Sequence, residues 1–367
     1  MNFEEYFAAP IFEKSIFSDL PEGICGGYLV TKIGNREVKT FVYVGTPKKT
    51  ESCPAVVLVH GAGGNAYYQW VEEWVKRGFA AIAVDLGGFH FTENDILHRK
   101  ENPSVQCYSI GGFAQILGEV RDSWIFYAVA QIIAAHSFIL SMDVVDREKT
   151  GVVGISWGGV VSLIALGCDF RFGAGAIIYS SGFITEDLLG KETGLFSDYK
   201  KKEFYDRYFD PQSYVSGIKV PVLMQAGLDD AAFSPINRQR TYLMFDYPAT
   251  KAVIPALYHD NESNFQNKNV FAFMSDCLLK TNLRISLDVI KNGNSLSLIC
   301  DGEVERAELL LTDGMGDPHR FVWECVEITC KDRAAKIDLP RTGKYKYAMV
   351  TVYYGDGLYT SSDIFEM

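Results

Sequence analysis

A chain of 367 residues, 48% of them hydrophobic, can bury a large core and suggests one large domain beside a smaller one. Its formal net charge of −11 argues against nucleic acid or an anionic membrane as a partner, since phosphate binding needs clustered Lys and Arg. Its eight cysteines are scattered without C-x-x-C spacing, which reads as reduced thiols and argues against a dense disulfide framework or a metal site.

The start, Met1-Asn2-Phe3-Glu4-Glu5, is acidic and lacks the basic and apolar regions of a signal peptide, so a cytoplasmic protein is expected. Residues 1–24 read as a mixed leader. Gly27–Ile33 and Glu37–Val44, separated by Gly34-Asn35, predict a hairpin. Strand and helix then alternate. Ala55–Val59 is an apolar strand before the loop His60-Gly61-Ala62-Gly63-Gly64; Tyr67–Arg77 has helical spacing and stops at Gly78; Phe79–Val84 is a strand. Gly87–Val120 is too long for a plain connection and reads as functional. Ser123–Met142 carries no charged residue, yet its Gln131, His136 and serines fit a buried crossover helix better than a membrane span. Strands follow at Gly151–Ile155, Gly175–Tyr179, Val220–Gln225 and Lys251–Ile254, with a helix from Trp157, a second excursion over residues 181–216 and a closing helix over Asn264–Lys280. Such alternation requires parallel strands with right-handed crossovers, hence a doubly wound, mostly parallel sheet.

From about Leu283 the period becomes two. Arg284–Val289, Ser295–Cys300, Arg306–Leu311, Phe321–Thr329, Ala334–Leu339, Tyr345–Tyr354 and Leu358–Ile364 predict seven strands of an immunoglobulin-like sandwich. The expected division is residues 1–282 and 283–367. His319, among Gly314, Gly316, Asp317 and Pro318, reads as a surface or loop residue.

The chemistry-bearing stretch is Gly151-Val152-Val153-Gly154-Ile155-Ser156-Trp157-Gly158-Gly159, where an apolar strand ends in G-x-S-x-G and a helical run follows. That is a nucleophile elbow in its expected strand–turn–helix context. The turn strains the serine backbone, and the flanking glycines leave room for the chain to pass over itself. A nucleophilic serine needs a base, an acid that orients it, and donors for an oxyanion. Only His259 and His319 follow Ser156, and His259 lies in the loop after the last core strand, where the base belongs. The acid belongs in the turn Ala226-Gly227-Leu228-Asp229-Asp230; both Asp229 and Asp230 are eligible. The oxyanion donors expected are the N–H groups of Trp157 and Ala62. The His60 loop lacks the Lys and spacing of a phosphate loop, so no nucleotide is expected.

The span from Ala55 to Phe273 resembles the α/β-hydrolase superfamily, and within it the dienelactone hydrolase-like and acetyl xylan esterase/cephalosporin C deacetylase group. The resemblance rests on H-G-A-G-G at His60, G-F-A-A-I-A-V-D-L-G ending at Gly87, V-V-D-R-E-K-T-G-V-V-G-I-S-W-G-G ending at Gly159, and P-V-L-M-Q-A-G-L-D-D ending at Asp230. In that group the acid stands three residues after the glycine that ends its strand, with a proline beyond, which implies Asp230, followed by Pro235. Dienelactone hydrolase itself uses Cys where this chain has Ser156, acetyl xylan esterases usually have Gln where it has Trp157, and the β-rich tail lies outside the family pattern. S-W-G-G is also similar to prolyl oligopeptidase-like peptidases.

The resemblance implies a serine carboxylesterase acting on small acyl esters, O-acetylated sugars among them, through Ser156, His259 and Asp230 and an acyl-enzyme, with neither metal nor organic cofactor. The alternatives are an aminopeptidase or acyl-peptide hydrolase with the same residues, and a non-catalytic binding protein of the same fold. The expected partner is a small-molecule ester. Phe89, His90, Phe91, Tyr108, Phe113 and Trp124 are candidates for an acyl or sugar pocket or for core packing. The tail is a candidate for carbohydrate binding, for homo-oligomer formation, or for covering part of the hydrolase.

Overall fold

The computed structural model describes residues 1–15, 19–34, 36–48, 52–87, 119–187, 197–247, 249–331, 333–341 and 343–367. Among these residues nine strands form the main sheet: β1 (Ile11–Ser15), β2 (Ile24–Ile33), β3 (Arg36–Gly45), β4 (Cys53–Val59), β5 (Ala80–Val84), β6 (Val145–Ile155), β7 (Ala174–Ile178), β8 (Val222–Gly227) and β9 (Ala249–Ile254). Their spatial order is β1-β2-β3-β5-β4-β6-β7-β8-β9. The first three strands pair antiparallel and carry this pattern to β5; from β5 to β9 all pairings are parallel.

The central strands are continuous apolar runs because both faces are covered. Val57 and Val59 join one core cluster, while Val56 and Leu58 point into the other. The first face carries α2 (Trp124–Leu140) and α3 (Trp157–Cys168). The second carries α1 (Tyr68–Lys76) and the late helix Lys268–Leu279. Helix α2 begins where the Ser123 hydroxyl accepts the Phe126 N–H, and it is buried along nearly its whole length. It is a crossover helix. Among the described residues no helix is long and apolar enough to cross a membrane.

Several boundaries differ from the sequence expectation. The leader contains the edge strand β1, which alternation did not mark because its side chains are exposed or half-buried. Strand β6 begins six residues early, at Val145, which pairs with Cys53; the register then breaks across the charged run Asp146–Lys149 and resumes at Thr150 opposite Ala55. The closing helix begins at Lys268, not Asn264, because Asn267 caps it by accepting the Val270 N–H. Among the described residues the remaining α-helices are α4 (Tyr199–Tyr208), α5 (Pro235–Tyr242) and α6 (Lys268–Leu279).

After α6 the chain forms a three-stranded and a five-stranded antiparallel sheet. The first contains β10 (Leu287–Asn292), β11 (Ser295–Cys300) and β14 (Ala334–Asp338). The second contains β12 (Arg306–Thr312), β13 (Glu324–Ile328), β15 (Tyr347–Tyr354), β16 (Leu358–Ser361) and β17 (Phe365–Glu366). Leu296, Leu298 and Ile337 of the first sheet share one core cluster with Leu309, Leu311 and Val350 of the second. Among the described residues there are eight strands here where seven were expected, because β16 and β17 both pair with β15 and are separated by Ser362–Ile364. The first starts at Leu287, not Arg284, because Arg284 is held against Asp276 at 3.0 Å.

This β region closes the outer edge of the main sheet. Ser361 Oγ accepts the Val253 N–H at 2.9 Å, and Thr351 Oγ1 donates to the Val253 carbonyl at 2.8 Å. Thr360 Oγ1 donates to the carbonyl of Lys251, whose ammonium pairs with Asp363 at 2.6 Å. Hydroxyls thus satisfy backbone groups of β9 that an open edge would leave unpaired. His319 departs from its surface expectation. It is buried, with Nδ1 2.8 Å from Asp317 and Nε2 3.2 Å from Asp187 across the boundary with the main-sheet region.

Candidate active site

Strand β6 delivers Ser156 to the point where α3 begins. Ser156 has φ +54° and ψ −121°, a left-handed conformation that non-glycine residues seldom adopt, and its N–H is anchored on the Ile178 carbonyl at 2.8 Å. The turn has no room for side chains on either side. A Cβ at Gly154 would come within 2.5 Å of the Gly158 carbonyl oxygen and Ser162 Oγ. One at Gly158 would come within 2.3 Å of the Val59 carbonyl oxygen.

Parallel strands end at the same side of a sheet, so the loops after β4, β6, β8 and β9 meet there. The Ser156 hydroxyl stands 2.9 Å from His259 Nε2, and His259 Nδ1 stands 3.1 Å from Asp230 Oδ1. Asp229 faces away; it is exposed and accepts the Leu257 N–H at 3.3 Å. The Asp230 carboxylate accepts at Oδ1 from Nδ1–H, so Nε2 is the nitrogen left to accept the serine hydroxyl proton.

Asp230 is 2% exposed. Burial alone would raise its pKa. The hydrogen bond from His259, the nearby Arg238 guanidinium and the Ala232 N–H outweigh burial and hold it below the ordinary carboxylate value. Arg238, also 2% exposed, donates to Asp230 Oδ2 at 3.0 Å and to the Gly227 carbonyl at 2.5 Å.

The imidazole is packed as well as hydrogen-bonded. The Tyr179 ring stacks on it with centroids 4.5 Å apart, and the Tyr179 hydroxyl donates to the Tyr258 carbonyl. Burial is the leading cause that pushes the Tyr179 hydroxyl up to about 12, so it remains a neutral donor.

The loop after β4 carries Ala62, which is exposed, next to Gly61, where a Cβ would come within 3.0 Å of the Ser156 Cβ; Trp157 is buried at the first position of α3. Gly61 N–H donates to Asn261 Oδ1 at 2.7 Å, which ties this loop to the His259 loop. His60 supports the same loop. Leu86 N–H donates to its Nε2, so Nδ1 carries the proton and donates to the Gly61 carbonyl at 2.7 Å.

All five candidate residues therefore converge on one sheet end. Of the aromatic candidates, Phe89, His90, Phe91, Tyr108 and Phe113 lie outside the described residues. Trp124 is buried and donates its indole N–H to the Leu86 carbonyl, a packing role. Sequence reasoning missed Arg238, Asn261 and Tyr179. No motif marks them, although a polar residue two positions beyond the candidate base was visible at Asn261.

Residues 13–180 match the family model described as acetyl xylan esterase (AXE1). That stretch contains Ala62, Ser156 and Trp157 and stops short of Asp230 and His259. The acetyl esterase Axe7A of Xylanibacter ruminicola is 21% identical over 250 residues, 65% of this chain; the match spans 57% of that relative's length, a little over half. Among solved structures, an acetyl xylan esterase from Paenibacillus sp. R4 superposes with a TM-score of 0.58 at 22% identity, covering 75% of this chain and 91% of that one. Acetyl xylan esterase 1 from Thermoanaerobacterium sp. JW/SL YS485 superposes with a TM-score of 0.55 at 17% identity, covering 76% and 93%. The chain has an α/β-hydrolase fold, and over residues 13–180 it carries the acetyl xylan esterase family pattern.

Proposed function

We propose that this protein is a serine esterase that removes acetyl groups from O-acetylated carbohydrates, with Ser156, His259 and Asp230 as its catalytic set. The observation that carries the reading is Ser156 Oγ 2.9 Å from His259 Nε2, in a strained elbow at the head of a helix. The family match over residues 13–180 supports the acetyl-ester substrate class.

His259 Nε2 takes the hydroxyl proton as Ser156 Oγ bonds to the acetyl carbon. Negative charge gathers on the carbonyl oxygen, where the N–H groups of Ala62 and Trp157 hold it; each such donor contributes about 3–4 kcal/mol in comparable sites. The tetrahedral species collapses, the bond to the sugar oxygen breaks, and His259 returns its proton to that oxygen. Water, deprotonated by His259, then attacks the acetyl-serine; acetate leaves and Ser156 regains its proton. Asp230 holds the imidazole in the required tautomer throughout.

The test is a product-resolved assay of the purified protein on acetylated xylo-oligosaccharides, p-nitrophenyl esters of increasing acyl length and aminoacyl anilides. Acetate release from the oligosaccharides, with short acyl chains preferred, supports the reading. Anilide cleavage exceeding ester cleavage would instead make it a peptidase.

A further inference from the structure

Asp230 presents two oxygens with different surroundings. Oδ1 accepts from His259 Nδ1, Ala232 N–H and Phe233 N–H, at 3.1, 2.9 and 3.2 Å. Oδ2 meets Arg238, whose other terminal nitrogen reaches the Gly227 carbonyl. One guanidinium therefore grips both ends of the turn Gly227–Asp230. The planar fork of arginine suits this double contact, and a lysine ammonium does not reproduce it.

Helix α5, which carries Arg238, is itself fixed from both flanks. Its Asn237 donates to Asp187 at 2.9 Å, and Asp187 also faces His319 of the β region. Its Gln239 donates to Asp363 at 2.9 Å and accepts the Ile364 N–H at 3.0 Å. Arg240, two positions on, sits at the surface against Glu186, so the burial of Arg238 is specific to its place on the helix.

We propose that Arg238 is a positioning residue for the Asp230–His259 pair, fixing the carboxylate rotamer that faces the imidazole and offsetting part of the negative charge the imidazole experiences. The inference rests on the reading of Ser156, His259 and Asp230 as the catalytic set. Among the described residues, the other charged or titratable groups around the pair are Asp229 on the turn, Tyr242 on α5, Asp363 behind it with the Lys251 ammonium bound to it, and Tyr179 and Asp260 beside the imidazole. The positive charge among these, Lys251, is paired with Asp363 at 2.6 Å. Removing the guanidinium leaves the imidazolium facing an uncompensated carboxylate, which raises the pH at which His259 loses its proton.

The test compares full-length wild type, Arg238→Gln and Arg238→Lys by NMR titration of the His259 imidazole, by the pH profile of kcat/KM on p-nitrophenyl acetate, and by thermal unfolding. In Arg238→Gln the acid limb of the profile is expected to move to higher pH, together with the imidazole titration. Arg238→Lys is expected to keep the wild-type midpoint and lose about tenfold in kcat with little change in KM, because the charge stays and the grip on Gly227 is lost. A Gln variant that titrates like wild type, or a Lys variant that turns over like wild type, overturns the proposal. Should Arg238→Gln fail to fold, the Lys variant decides alone by its kcat. A wild-type protein without esterase activity would sink the reading of the site, while the NMR titration would still decide what Arg238 does to the imidazole.

Discussion

Asn261 Oδ1 accepts the Gly61 N–H at 2.7 Å, joining the loop that carries the candidate base to the loop that carries the candidate oxyanion donor, 200 residues away in sequence. The bond sets the direction in which the next N–H, that of Ala62, points. Asn261→Ala is therefore expected to lower kcat by about tenfold or more, since a misdirected oxyanion donor acts on the transition state and not on the bound ester. KM should change little. Steady-state kinetics on p-nitrophenyl acetate checks this; a rise in KM at constant kcat would place Asn261 in substrate binding.

Gly158→Ala is expected to destabilise the fold by about 1–3 kcal/mol, since its Cβ would lie 2.3 Å from one carbonyl oxygen and 2.4 Å from the next. Urea unfolding followed by circular dichroism gives the value. A neutral substitution would mean that the elbow can relax, contrary to the close approach of α3 to the end of β4.

His319 links the two sheet regions through Asp187. Burial would lower its pKa, but contacts with Asp187 and Asp317 outweigh burial and raise it above the ordinary histidine value. A raised folded-state pKa gives a contribution fully present below the unfolded value and lost as pH rises through the folded value. Wild type should therefore lose stability relative to His319→Gln as pH climbs above the ordinary histidine range. Paired denaturation curves on either side of that range check this; parallel curves would remove His319 from the linkage.

The hydroxyls that satisfy β9 argue that the β region cannot be removed without consequence. Ser361→Ala leaves the buried Val253 N–H without its acceptor and should cost about 1–3 kcal/mol. A truncation ending near Thr281 exposes the β9 edge and is expected to aggregate. A soluble truncation with unchanged kcat on a small ester would instead make the tail a dispensable module.

How far the sequence could be read follows from where the information is local. The elbow was legible because strand, strained turn and helix are adjacent in the chain and each demands particular residues. His259 was legible by its position after the last core strand. Asp230 needed the family resemblance to separate it from Asp229, because the contacts that distinguish it, with His259 and Arg238, come from other elements. Asn261 and Tyr179 act across loops, and no spacing rule marks such contacts. The β tail was legible by its period of two, yet its docking on β9 was not, since serine and threonine on an outward strand face look the same whether they meet water or another sheet edge. His319 was misread for the same reason: turn formers surround it, but its partner Asp187 comes from 132 positions earlier in the chain.

The central claim, that Ser156 is the nucleophile, is tested most directly by treating wild type and Ser156→Ala with a fluorophosphonate and measuring intact mass and ester hydrolysis. Wild type should gain one phosphonyl adduct, mapped to Ser156, and lose activity with it. The Ala variant should fold, take up no adduct and retain only background hydrolysis, because no second hydroxyl stands at 2.9 Å from His259 Nε2 among the described residues. An adduct on the Ala variant, or substantial turnover by it, would contradict the account.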